Sequence, residues 1–266
     1  MPKADIPKLD IPKLDIEQFP CLSDSYAVLI HDREAGLTGA IDAPDADAIL
    51  ERLAAKGRRL THLFVTHHHA DHTGGNLKLK EATGCMVIGP KGEAERIPGI
   101  EQAVGEGDSV RFGHFEIRVL ETPGHTIGHV AYWVPEAHAV FVGDTLFAMG
   151  SGRLFEAGAE TMWNSLKKIM ELPPDTEIYC GHEYTAANAK FALTVDPDNI
   201  ALQERAKEVV ELRAKGLPTV PTRLDRELKT NPFLRADAPA IRAKLGLPFA
   251  PDWKVYAEIR ERKNKA

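Results

Sequence analysis

The stretch Thr66-His67-His68-His69-Ala70-Asp71-His72 gathers four histidines and an aspartate. Neutral imidazole and carboxylate are ligands for zinc, iron and manganese. In an extended segment His67 and His69 point to one side and His68 to the other. Asp71 and His72 then follow in a turn and can face a second position close by. A solvated polar loop is the plain alternative, but the segment follows the apolar run "HLFVT" (62–66) and precedes Gly74-Gly75.

Three further segments repeat the design of a β-rich run, a tight turn and a metal-capable side chain. "IRVLETPG" leads into His125, "AVFVG" into Asp144 and "EIYCG" into His182. Strand ends are rigid anchors, so loops there can hold ligands within the tolerance a metal needs. Taken singly, His125 and His182 read as satisfied core histidines and Asp144 as a strand terminator. Taken together they point to metal. The side chains divide into His67, His69 and His125 for one ion and Asp71, His72 and His182 for another, with Asp144 left to bridge. That is the arrangement of a two-metal site with a water or hydroxide held between the ions. His68 should point away, and His129 reads as a supporting or structural group. His31, His62, His114 and His138 stand in no motif and read as structural or surface residues.

The elements that must position these groups alternate. β-rich runs fall at 26–31, 62–66, 86–89, 115–122, 130–134, 139–144 and 177–181, with helical patterns at 45–57 and 159–172. The first helix has a cap at Pro44-Asp45 and a stop at Gly57. Mixed strands and helices imply an α/β sandwich with helices outside. After about residue 184 the strand patterns stop. Helical patterns at 199–216, 238–246 and 252–266 imply a helical appendage. The first 15 residues, with the tandem "DIPKLDIPKLDI", carry proline every five positions and read as an extension outside the core fold, disordered or strand-like.

Composition narrows the function classes. The 266 residues are 43% apolar and 27% charged, ordinary for a globular protein. No apolar run approaches the ~20 residues that span a bilayer, and the N-terminus lacks the apolar core of a secretory signal. Cys21, Cys85 and Cys180 are odd in number and far apart, so the expectation is a reducing, cytoplasmic setting without disulfides. The net charge of −6 argues against nucleic acid as a partner. Residues 1–183 carry 17 Lys and Arg against 28 Asp and Glu, whereas 184–266 carry 16 against 11. An acidic body with a basic tail suits a small anionic ligand, although solvated helix faces would look the same. No exposed apolar helix face stands out, so the chain reads as a monomer.

"THHHADH" followed in order by "TPGH", "GD" and "GHE" resembles the metallo-β-lactamase superfamily, an αββα sandwich with metals at one edge; the likeness covers about residues 16–183. A narrower likeness runs from residue 16 to the end. "FPCLSDSYAVLI", "THHHADHTGGN", "ETPGHTIGHVAYW", "VFVGDTLFAMGSGRLFE", "CGHEYTAANAKFA", "NPFLR" and "EIRERKN" resemble the glyoxalase II family, the hydroxyacylglutathione hydrolases. The resemblance implies an α/β catalytic domain over 16–183 and a helical glutathione-binding domain over 184–266. It implies hydrolysis of a glutathione thioester, typically S-D-lactoylglutathione, to glutathione and a 2-hydroxy acid, as in methylglyoxal detoxification. The family's metal ligands fall on His67, His69, Asp71, His72, His125, Asp144 and His182. Its glutathione contacts fall on Arg153, Phe155, Tyr184, Asn188, Arg260 and Lys263. Phe155 is tyrosine in some members; here it can pack but cannot donate a hydrogen bond. Ser25 and Ser151 stand where many members have asparagine and cysteine.

The chemistry is coherent unaided. Two divalent ions, zinc foremost with iron or manganese as alternatives, can hold a hydroxide nucleophile and stabilise the oxyanion. Asp71 would orient that hydroxide and Asp144 would bridge. A thiol leaving group, with pKa near 8.5, departs without a dedicated acid. No G-x-S-x-G signature competes. The rival readings are a mononuclear iron persulfide dioxygenase, a lactonase and a non-catalytic metal-binding protein. From spacing alone, Arg260 and Lys263 would be read as a solvated terminal helix.

Overall fold

The computed structural model describes residues 13–266, which fold as two six-stranded sheets packed face to face between helices. The first sheet comprises β1 (Leu14–Cys21), β2 (Ser25–Asp32), β3 (Leu37–Ile41), β4 (His62–Phe64), β5 (Met86–Pro90) and β6 (Gln102–Val104) in that spatial order. Its first three strands run antiparallel and the rest are parallel. The parallel part is crossed over by α1 (Ala46–Ala55), and by α2 (Ala70–Thr73) and α3 (Asn76–Thr83). The second sheet contains β7 (Ser109–Phe112), β8 (Phe115–Glu121), β9 (Val130–Val134) and β10 (Ala139–Gly143). After the small hairpin of β11 (Leu146–Phe147) and β12 (Gly150–Ser151) and helix α4 (Ala159–Met170), it is extended by β13 (Glu177–Cys180).

The strands are apolar on both faces because both faces are covered. On β2, Val28 and Ile30 face the second sheet, whereas Ala27 and Leu29 face α1 and α3. Phe64, Phe112, Phe115, Tyr132 and Phe141 fill the space between the sheets. The outer face of the second sheet packs on α4 and on the C-terminal helices. Those helices are α5 (Thr185–Val195), α7 (Leu224–Thr230), α8 (Pro239–Leu245) and α9 (Asp252–Asn264), and α6 (Ile200–Ala214) packs on the far side of α5. Asp45 caps α1 by accepting from the amides of Asp47 and Ala48, the capping expected from its position.

Two expectations need correction. Residues 1–15 were expected to lie outside the core fold, yet β1 begins at Leu14, which is buried in the inter-sheet core. Asp15 pairs with Arg33 at 2.6 Å and Arg58 at 3.3 Å. An edge strand tolerates a proline such as Pro20, so a proline-rich approach does not exclude pairing. Residues 1–12, with most of the repeat, lie outside the described residues. Strands were also expected to stop near residue 184, but β14 (Thr222–Arg223) adds to β13 from within the helical segment. Two residues are too few to leave a periodic signature.

Tyr132 links this core to the end of β4. Its fully buried hydroxyl donates to the carbonyl of Val65 at 2.7 Å. Tyr132→Phe removes that donor from a buried carbonyl and should destabilise the protein by about 1–3 kcal/mol, read as a lower urea midpoint at unchanged slope.

Candidate metal centre

Four strand ends terminate at one edge of the sandwich. Past β4 the chain stays tied to both sheets: Val65 N–H donates to Ile88 O at 2.8 Å, and Thr66 O accepts from Val130 N–H at 3.0 Å. His67, His68 and His69 follow, and the short α2 carries Asp71 and His72. The chain after β8 delivers His125, that after β10 delivers Asp144, and that after β13 delivers His182. Gly181 is required by close approach. A Cβ there would lie 2.7 Å from both the Asp144 carboxylate and the His72 ring.

The ligand-capable atoms converge. His69 Nδ1 lies 3.1 Å from His67 Nε2 and 3.0 Å from His125 Nε2. Asp71 and His182 approach to 3.5 Å. Asp144 lies between the sets, 3.4 Å from His72 Nε2 and 3.5 Å from both His125 Nε2 and His182 Nε2. His67, His69 and His125 form one group within metal-binding reach, and Asp71, His72 and His182 form another. His68 is turned away onto Glu93, and His129 accepts from the Asp144 amide at 3.1 Å.

Hydrogen bonds on the far side of the rings fix which nitrogen faces inward. His125 Nδ1–H donates to Arg153 O at 2.9 Å, which leaves Nε2 as the free lone pair. His72 Nδ1–H donates to Asp42 at 2.8 Å, and Asp42 also accepts from the Thr66 amide and hydroxyl. Asp42 was missed in the sequence. It follows the β-run "LTGAI", so it obeys the same strand-then-acid rule that singled out Asp144.

The electrostatics favour a cation. Burial, aided by the charge of His72, holds the His67 ring well below the ordinary histidine range, and burial also lowers His69 and His125. These rings are therefore neutral and ready to ligate at neutral pH. At His72 burial pulls the pKa down, but the carboxylates of Asp144 and Asp42 outweigh it and raise the ring well above its usual value. Burial likewise opposes the ionised form of Asp144, and His72 and His182 overcome it. His72 Nε2 and Asp144 Oδ1 are both buried without a hydrogen-bond partner. Buried polar atoms are seldom left so. A convergent set of imidazole nitrogens and carboxylates, two of whose atoms are buried without a hydrogen-bond partner, fits divalent metal.

A cavity of about 540 Å³ opens on this cluster. All six residues expected to contact glutathione line it: Arg153, Phe155, Tyr184, Asn188, Arg260 and Lys263. Tyr184 stacks on His182 with the rings 7° from parallel. Phe155 stands edge-on to the His69 and His125 rings, with Arg153 over its outer face. The amide of Asn188 donates to Ala148 O at 3.2 Å. Arg260 is not on a solvated face: it is 6% exposed, lies over the Phe233 ring and donates to Ser151 O at 2.7 Å. Lys263 reaches Ala187 O at 3.2 Å across the mouth. Phe147 and Asn264, which the sequence did not single out, also line the cavity.

Among known proteins, a family model for the metallo-beta-lactamase superfamily matches residues 34–182, and one described as the hydroxyacylglutathione hydrolase C-terminus matches residues 183–266. A hydroxyacylglutathione hydrolase of Methylococcus capsulatus is 53% identical over 93% of this chain and 96% of its own. One of Brucella ovis is 56% identical with the same coverage. Among solved structures, ETHE1 from Myxococcus xanthus superposes with a TM-score of 0.65 at 28% identity, covering 94% of this chain and 98% of that one. TTHA1623 in a di-iron-bound form gives 0.54 at 29% identity over 63% of this chain and 91% of that one.

Asp42 carries a prediction. Its backbone is left-handed, with φ of 58°, a conformation asparagine also tolerates, so Asp42→Asn tests the carboxylate with little backbone penalty. Loss of the charge behind His72 should weaken metal retention roughly 10- to 100-fold, measured as metal content after dialysis against graded chelator. Unchanged retention would contradict the role given to Asp42.

Proposed function

This chain belongs to the hydroxyacylglutathione hydrolase family of the metallo-beta-lactamase superfamily and is a thioester hydrolase; from that premise we propose that it cleaves S-(2-hydroxyacyl)glutathione thioesters, S-D-lactoylglutathione foremost, to glutathione and a 2-hydroxy acid. The observation that carries the reading is a single cavity lined both by His69, Asp71, His125, Asp144 and His182 of the cluster and by Arg153, Arg260 and Lys263. A glutathione thioester carries its acyl group on the central cysteine and a carboxylate at each end of the tripeptide, so with the acyl carbon at the cluster it would offer carboxylates to those cations.

His67, His69 and His125 would hold one divalent ion, and Asp71, His72 and His182 a second, with Asp144 within reach of both. Two ions bound there, zinc first with iron or manganese as alternatives, would make a water nucleophilic at neutral pH and polarise the thioester carbonyl. Asp71, half exposed at the cavity, orients the attacking water. Water oxygen bonds to the acyl carbon, the carbon–sulfur bond breaks, and the sulfur leaves as a thiolate that is then protonated. No dedicated acid is needed, because thiols ionise near pH 8.5. Arg260 spends N–H groups on Ser151 O and Asn264, and a guanidinium has five, so others remain for a carboxylate. Tyr184 and Asn188 flank the peptide part, and Phe155 packs against it.

The curated relatives do not favour a persulfide dioxygenase, and the second ligand set would be superfluous to one iron. No described helix is long and apolar enough to cross a membrane. Cys21, Cys85 and Cys180 are free and buried, which supports a reducing, cytoplasmic setting. The monomeric state is checked by sedimentation.

The first test is thiol release from S-D-lactoylglutathione. We expect fast release that is abolished by chelation and restored by zinc; no release from metal-replete protein rejects the reading. Lys263→Ala should remove one charge-assisted contact worth about 1.5–3 kcal/mol, raising KM roughly 10- to 100-fold with little change in kcat. An unchanged KM removes Lys263 from the site.

A further inference from the structure

The hydrolase reading leaves Glu93 without a task. It is 1% exposed, in the turn after β5, and touches no residue assigned to substrate or metal. Its carboxylate nevertheless ties two ligand loops together. One oxygen accepts from the His68 amide at 2.8 Å and from His68 Nδ1 at 2.6 Å. The other accepts from the Gly128 amide at 2.8 Å. Gly128 rests on the stem of the same side chain: a Cβ there would lie 2.6 Å from Glu93 Cγ.

His68 is the residue between His67 and His69, and Gly128 lies three positions beyond His125. For His67 and His69 to point the same way, the residue between them must point oppositely and be held there. Glu93 holds both its amide and its ring. The same carboxyl group then sets the distance between this loop and the one carrying His125. Arg96 completes the arrangement, bridging His68 Nε2 and Glu156, whose carboxylate accepts from the Ile127 amide. His68, Glu93 and Glu156 come close enough to suggest a third cation site, but the Arg96 guanidinium already fills that place with positive charge.

We propose that Glu93 is a positioning residue that presets the His67–His69–His125 ligand set, and that it acts on this set more than on Asp71–His72–His182. The inference rests on the two-set reading of the metal centre given above.

The test is a zinc titration of metal-stripped protein against a chromophoric chelator, with the metal-free unfolding midpoint as a control. Wild type should take up two ions. Glu93→Gln keeps the size but turns an acceptor into a donor facing N–H groups. It should weaken one ion roughly 10- to 100-fold and leave the other, the pattern of His69→Ala in milder form and not that of His182→Ala. On the zinc-loaded enzyme, kcat should fall while KM for the thioester holds. Two ions bound as in wild type, or both weakened alike, overturns the proposal. If Glu93→Gln does not fold, His68→Ala decides. Removing one of the three donors should weaken the same single ion, and an unchanged titration overturns the proposal. If wild type takes up no ion, the hydrolase reading fails with it; if wild type binds two and both variants match it, only this inference fails.

Discussion

Asp144 is a carboxylate almost wholly removed from water, and its ion-pair partners among the described residues are histidines, not lysine or arginine. Burying an unpaired charge costs several kcal/mol, so the rest of the site is arranged around meeting that cost. His72 is drawn between Asp144 and Asp42 and its pKa raised; the backbone amide of Asp144 is satisfied by His129. One oxygen of Asp144 still lacks a hydrogen bond. Shared cations at this point would satisfy it and would compete with the proton that Asp144 and Asp42 favour on His72. Metal binding and proton release are thereby coupled through one side chain.

That cluster can form only because the two sheets end together. The parallel order of β3, β4 and β5 brings the ends after β3 and β4, hence Asp42 and His67, to one edge. The parallel pairing of β10 with β13 brings Asp144 and His182 to the same edge from the other sheet. The C-terminal helices approach from outside. Buried Glu227 accepts from the Met149 amide, and Asn231 of the "NPFLR" segment donates to Phe147 O and Gly150 O. The hairpin that supports the cavity is thus pinned by α7 and the turn after it, and Arg260 of α9 then docks on Ser151.

How much of this could be read from the sequence follows from how each feature is encoded. The strand–turn–ligand rule needs a long β-run ahead of the ligand, and it located the convergence of His67, His125, Asp144 and His182. The same rule would have located Asp42, had the short run "LTGAI", with glycine and alanine at its centre, been read as a strand. Glu93 had no signal, because it sits in an irregular turn and acts through contacts made by residues 25 and 35 positions away. The pairing of Leu14 and Asp15 was hidden by the proline repeat before them. Helix α5 was hidden because it is covered on two sides, by the sheet-facing core and by α6, which erases the amphipathic contrast that marks a surface helix.

Arg260 shows where spacing alone misleads and packing decides. Near the end of a highly charged helix, an arginine reads as solvated, and its neighbour Arg262 is exposed and pairs with Glu258 one turn back. Arg260 instead lies on the buried side with Val255, Tyr256 and Ile259, its guanidinium over Phe233. Burial pulls its pKa down to about 10. The charge still stands at neutral pH, in a cavity that His69, Asp71, His125, Asp144 and His182 also line. Rigid strand ends hold the ligand-capable groups to the tolerance that chemistry requires, and under the proposed function the charge supplied by the helical segment would hold a remote part of the substrate, where binding energy can be used to fix orientation at the reacting carbon.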